Sequence, residues 1–174
     1  MIDRMMRAIR LDRTLFRQVA DNPEYTSEAA LIAVIVSVIA SLGAVFGKNP
    51  LLLFIGQLAN QILLGWLLWA LVAYFVGTAL FKGRSQPMEM IRTLAYAGVP
   101  RILGVFGSVP CVGWILALAG WVLSIAAGVI AIRESMEFDT TSAVVTTVVG
   151  FLLFIIASVL IGMILAPITA LGGL

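Results

Sequence analysis

A chain of 174 residues, 61% hydrophobic and 11% charged, with a mean hydropathy of +1.10, carries more apolar surface than one small water-soluble core can hide. Its net charge of +2 does not suit a nucleic-acid binder. With no histidine and a single cysteine, Cys111, a His/Cys zinc site, a Cys–His pair and an intramolecular disulfide are excluded.

Met1 to Glu28 is charged throughout, so no cleavable signal peptide is read there. Ile2, Met5, Met6, Ile9, Phe16 and Val19 recur at helical spacing, with Arg4, Arg7, Arg10, Arg13 and Arg17 between them. Residues 1–21 are expected to form an amphipathic helix in the cytoplasmic interface; the alternative is a solvated arm whose arginines only set topology. In "DNPEY" Asn22 is the expected N-cap and Pro23 the first helical residue. That helix opens a membrane domain over residues 22–174 and runs into the first span.

Ala29–Gly47, Leu51–Phe81, Cys111–Ile132 and Ala143–Leu174 contain no charge. Each matches or exceeds the roughly 20 residues that cross a hydrocarbon core, where a backbone amide finds its partner in its own helix. Lys and Arg flank the first two runs asymmetrically. Five arginines precede the first, Lys82, Arg84 and Arg92 follow the second, and Lys48 lies between them. The positive-inside rule puts the N-terminus and the Lys82–Arg92 loop in the cytoplasm.

In the second run, "GQLANQILLGW" sets Gln57, Asn60 and Gln61 on one helical face. Such amides serve as interhelical or surface contacts, or line a polar path. "FKGRSQP" reads as a turn. "PMEMIRTLAYAG" reads as an interfacial helix, with Glu89 and Arg92 three apart.

"YAGVPRILGVFGSVPCVGWI" then decides the number of crossings. An α-helix from Leu94 to Val109 would rise about 24 Å, short of the ~30 Å core. Pro100 lies inside it and predicts a kink. If the piece crosses, there are five spans; if it turns back, four. The Lys and Arg balance fits both. Arg101 favours crossing, because its side chain then points back toward the cytoplasmic interface and to carboxylates there. The expected architecture is therefore an all-α bundle of five transmembrane helices, the third short and bent, with a cytoplasmic N-terminus.

Gly120, Ser124 and Gly128 form a small-residue stripe, as do Gly43 and Gly47 in "GAVFG". Both are read as close helix packing, within the bundle or between copies. Asp139 or Thr140 is the expected cap of the last span.

Two stretches carry a family resemblance: "LLWALVAYFVGTALFKGRSQPMEMIRTLAYAGVPRILGVFG" and "LSIAAGVIAIRESMEFDTTSAV". A long apolar helix ends in a Gly- and Lys-containing turn. A short helix with a Glu follows, then a "GYA…P"-type element, then a span ending in "R-E". Through Gly77, Lys82, Gly83, Glu89, Tyr96, Pro100, Arg133 and Glu134 the chain resembles the Yip domain family, membrane proteins named for interaction with Ypt/Rab GTPases, and specifically its short prokaryotic branch. The resemblance spans about residues 10 to 160 and implies five spans with the N-terminus in the cytoplasm. The chain departs from eukaryotic members in lacking a long N-terminal region and the "DLYGP"-type motif, and Ala95 stands where a glycine usually precedes the tyrosine. GTPase binding is therefore not carried over.

Glu89, Arg92, Tyr96, Pro100, Arg101, Arg133, Glu134 and Asp139 form the expected cytoplasmic cluster, for partner binding or structural ion pairing. No paired carboxylates, activated nucleophile or phosphate-loop spacing are found, so neither an enzyme nor a cofactor is expected. The reading is a scaffold or adaptor in a bacterial cytoplasmic (inner) membrane, bound to membrane lipids, other membrane proteins or itself as a homo-oligomer. The alternative is a small channel or transporter near the bent helix.

Overall fold

The computed structural model describes residues 1–42, 50–108 and 111–171, and every described element is helical. The N-terminal segment departs from the single helix expected over residues 1–21. It forms α1 (Ile2–Ile9) and α2 (Arg13–Asp21), separated by Leu11 at φ 59°. Asp12 enforces the break. Its Oδ1 accepts from the Thr14 amide at 2.9 Å and its Oδ2 accepts from Arg7 Nε at 2.8 Å. Arg7 first, then Thr14, hold this carboxyl down at about 2. The apolar face of α2 does not lie on lipid: Leu15, Phe16 and Val19 are fully buried, where α6 and α7 pack on it.

The next helix, α3 (Tyr25–Ser41), begins two residues later than expected. Asn22 instead ends α2 and caps the intervening turn, its Oδ1 accepting from the Glu24 amide at 2.9 Å. Pro23 stays outside the helix. Its carbonyl accepts from the Thr26 amide at 3.0 Å.

The second apolar run is a rod of three parts: α4 (Pro50–Ile62), a π-helical segment (Leu63–Leu68) and α5 (Trp69–Phe81). The wider i→i+5 turn was not foreseen, since "LLGWLL" is composed like any apolar α-helix. Within it Trp66 leaves the rod, and its Nε1 donates to the Ile91 carbonyl at 3.0 Å.

α6 (Pro87–Ala97) starts on a proline and is closed by Glu89, whose Oε2 accepts from the Gln86 amide at 3.1 Å. The expected kinked α-helix from Leu94 to Val109 does not form. The α-helix stops at Ala97, and a 3-10 helix takes over from Val99 to Ser108. Pro100 explains the change: it has no amide to donate, and its ring would strike the carbonyl of Tyr96 in an α-helix. The tighter i→i+3 ladder starts with the Arg101 amide on the Gly98 carbonyl at 3.0 Å. Ten residues of 3-10 helix cover about 20 Å.

The last two helices are α7 (Gly113–Met136) and α8 (Thr140–Leu171). Asp139 caps α8 as the sequence suggests, accepting from the Thr141 and Ser142 amides at 3.1 and 3.4 Å. Contact with Ser142 holds its carboxyl below the ordinary range.

Among the described residues three helices are long and apolar enough to cross a membrane: Leu51–Phe81, Gly113–Met136 and Thr140–Ile164, with mean hydropathies of 2.0, 2.5 and 2.8. α3 is apolar but shorter, at 17 residues. The packed interior lies at one end, called proximal below, where Phe16, Ile32, Met90, Tyr96 and Ile132 are fully buried together. α5 and α8 run antiparallel. Phe81 meets Phe138 at 5.7 Å near the proximal end, and Trp69 meets Phe154 at 5.8 Å further along. Toward the distal end the rods lose their neighbours. Leu51, Leu52 and Leu53 are exposed, and no described side chain of α8 after Gly150 is buried.

Candidate functional site

Two arrangements stand out, a proximal clasp and an interhelical cavity. The clasp joins α1, α3 and α6. Arg4 binds the Glu28 carboxylate through two donors, Nε at 2.8 Å and Nη2. The hydroxyl of fully buried Tyr96 donates to Glu28 Oε1 at 2.9 Å, and the Arg4 guanidinium lies 5.0 Å from the centre of the Tyr25 ring. The hydrogen bond that Arg4 donates to Glu28 raises it above its ordinary pKa. A second bond set ties α2 down. Arg92, only 4% exposed, donates from Nε to the Val19 carbonyl at 3.1 Å and from Nη2 to the Ala20 carbonyl at 2.6 Å. Its Nη1 reaches Thr26 Oγ1 at 3.4 Å. A cation on the last carbonyls of a helix satisfies both their lone pairs and the dipole. Arg17 adds a bond to Glu137 at 2.6 Å and one to the Glu134 carbonyl at 3.2 Å.

The expected cytoplasmic cluster therefore does not converge. Glu89 and Asp139 cap their own helices, Arg92 caps α2, and Tyr96 faces Glu28. Arg133 and Glu134 approach no closer than 3.9 Å. Glu28 and Arg4, which complete the clasp, carry no signal of that role in the sequence, because 24 residues separate them and 68 separate Glu28 from Tyr96.

Among the described residues Arg101 meets no carboxylate. Its Nη2 donates to Gln61 Oε1 at 3.3 Å across to the π-bearing rod. The two side chains line a cavity of about 450 Å³ between α3, the rod, α6, α7 and α8. Of the three amides grouped by spacing, only Gln61 reaches it; Gln57 and Asn60 are exposed on α4.

The Gly120, Ser124, Gly128 stripe divides its work. At Gly120 a Cβ would lie 2.6 Å from the Pro100 carbonyl and 2.9 Å from Leu103 Cβ, so here α7 and the 3-10 helix touch. At Gly128 a Cβ would meet nothing within 4 Å, and both Gly128 and Ser124 line the cavity. Buried Pro100 thus acts through its backbone against α7. Trp121 is 54% exposed and borders the cavity. Gly43 and Gly47 lie outside the described residues.

Among the described residues no three His, Cys, Asp or Glu side chains gather in a metal-binding arrangement. Comparison with curated proteins and with solved structures returns no match. The family pattern described as the Yip1 domain matches residues 10–164. That stretch begins just after α1, so it takes in Glu28 and Tyr96 of the clasp but not Arg4, then the cavity and most of α8, and its apolar helices make this a membrane protein. The chain belongs to the Yip1 domain family.

Proposed function

We propose that the protein is an integral membrane scaffold or adaptor that binds other membrane proteins or a second copy of itself, without enzymatic activity. In this reading it crosses a bacterial cytoplasmic membrane five times, the Val99–Ser108 segment included, with its N-terminus in the cytoplasm. The observation that supports it is the bare distal half of α8. From Phe151 to Ile164 no residue is fully buried and most are exposed, with Phe151 and Phe154 meeting Trp69 on one side only. Two apolar helices gain little hydrophobic energy from meeting in lipid, but close van der Waals packing and interhelical hydrogen bonds still join them. Arg4, Glu28, Arg17, Arg92 and Glu137 at the proximal end are engaged within the molecule, which leaves the helix surfaces as the contact region. At the other end, exposed Ile2 and Met6 of α1, beside exposed Arg10, suit contact with lipid headgroups.

A photo-crosslinking residue at Leu160, which is 55% exposed, tests the reading in native membranes. A discrete protein adduct, at the dimer mass or at one other mass, is expected. If Leu160, Val159 and Leu152 all yield only lipid adducts, the scaffold reading fails. A second reading, a small channel or transporter, draws on the cavity beside Arg101. Solute flux in proteoliposomes that disappears with Arg101→Leu would favour it over the first.

A further inference from the structure

Arg101 is the one charged residue lining the cavity. Its guanidinium's described bonding consists of the single contact to Gln61, and among the described residues no carboxylate lies within ion-pair distance of it. A guanidinium does not shed its proton in a protein, and a cation at membrane depth calls for an anion or a water path. Apart from Gln61 and the hydroxyls of Ser37, Ser124 and Thr147, the cavity lining is mostly apolar, and its volume of about 450 Å³ suits a bound small molecule or one chain of a lipid.

The rim identifies the direction of entry. Trp121, Ile125, Val148, Phe151 and Leu152 border the cavity and are 42–57% exposed. These side chains belong to the lipid-facing sides of α7 and α8, so the mouth opens sideways to hydrocarbon. A water-soluble anion would have to cross that hydrocarbon, whereas a membrane lipid diffuses in laterally.

Depth agrees with this. Gly120, packed on Pro100 next to Arg101, lies about 10 Å along α7 from its start at Gly113. That places the guanidinium within reach of the headgroup level at the distal surface. From Gly120 to Gly128 the cavity wall runs about 12 Å further inward. Along it the Ser124 oxygen is buried without a hydrogen-bond partner, and Gly128 presents open space.

We propose that this cavity is a lateral site for one anionic phospholipid, its phosphate on Arg101 and Gln61 and one acyl chain running past Ser124 to Gly128. The site is independent of the scaffold reading; a lipid here requires no protein partner.

The full-length chain, purified in a mild neutral detergent, is titrated with phosphatidylglycerol and separately with phosphatidylcholine, and bound lipid is counted by native mass spectrometry. One phosphatidylglycerol is expected to be retained in preference to phosphatidylcholine. Arg101→Gln should weaken phosphatidylglycerol roughly tenfold or more, as for a lost charge-assisted contact, and bring it level with phosphatidylcholine. Gly128→Leu fills open space and should reduce both lipids while circular dichroism and elution stay unchanged. Gly162→Leu, on exposed α8 where a Cβ also meets nothing, should change neither. Equal retention of the two lipids by the unmodified chain, or unchanged preference in Arg101→Gln, overturns the proposal. So does full competition by glycerol 3-phosphate, which has the phosphate without the chains and would mark a site for a soluble anion. Gly128→Leu that folds normally and keeps its phosphatidylglycerol removes the chain path.

Discussion

Arg92 illustrates how a side chain identified from sequence acquires a different task in the fold. Its position three residues after Glu89 suggests a surface pair, yet the guanidinium turns inward and takes the free carbonyls of Val19 and Ala20. Those carbonyls belong to a helix too short to be stable by itself, so the bond set docks α2 together with its buried apolar face. Arg92→Leu is expected to destabilise the protein by about 2–3 kcal/mol, because charged hydrogen bonds are lost and buried acceptors are left bare. Hydrogen exchange in detergent micelles should show the faster opening in α2 first, ahead of α7 and α8. Arg92→Lys should recover only part, since an ammonium does not reproduce the fork that serves both carbonyls. Equal protection of α2 in Arg92→Leu and unmodified protein would remove this assignment. Glu28 makes the complementary point. A carboxylate at the edge of an apolar run looks like a boundary marker, and only α1 and α6 folding onto α3 make it the centre of a clasp.

At the scale of elements, local chemistry dictates where helices break more firmly than what replaces them. Pro100 forbids an α-helix through Tyr96–Arg101, and the chain answers with a 3-10 helix held against α7 rather than with a kink. Glycine spacing is equally double-edged. Gly120 and Gly128 belong to one stripe, but one meets backbone and the other faces empty space. Gly120→Ala is therefore expected to cost about 1–3 kcal/mol, as an added methyl strikes the Pro100 carbonyl, which cannot swing away like a side chain. Gly128→Ala should be neutral or stabilising by up to about 1 kcal/mol, through helix propensity alone. Thermal unfolding of the two variants in the same detergent decides; equal melting temperatures would contradict the packing described. Nothing in the residues Leu63–Leu68 foretells the π-helical turn, and it lies where Trp66 and Gln61 find partners on α6 and beside Pro100.

The molecule as a whole is tight at one end and open at the other. α1, α2 and α6 close the proximal end with buried apolar side chains and charged hydrogen bonds. Toward the distal end α4 and α8 lose neighbours, and the cavity occupies the transition. Cys111, exposed between the 3-10 helix and α7, reports on the placement of this frame in a membrane. With five crossings and the N-terminus inside, a membrane-impermeant maleimide should label it in intact cells. Labelling only after permeabilisation would replace that arrangement with four crossings.

The sequence by itself determined the solvent and the class. Long charge-free runs hide their backbone polarity only as helices in lipid, and that inference needs no partner from elsewhere in the chain. It also located the breaks, at Pro100 and at the turn before α6, because proline and capping chemistry act within a few residues. Only the tertiary structure decided which charges meet. Arg4 with Glu28, Glu28 with Tyr96, Arg92 with the end of α2, and Arg101 with Gln61 are each pairs brought together from distant positions. The geometry of such pairs follows from how helices pack, and helix packing depends on surfaces that a linear pattern of apolar residues leaves unspecified.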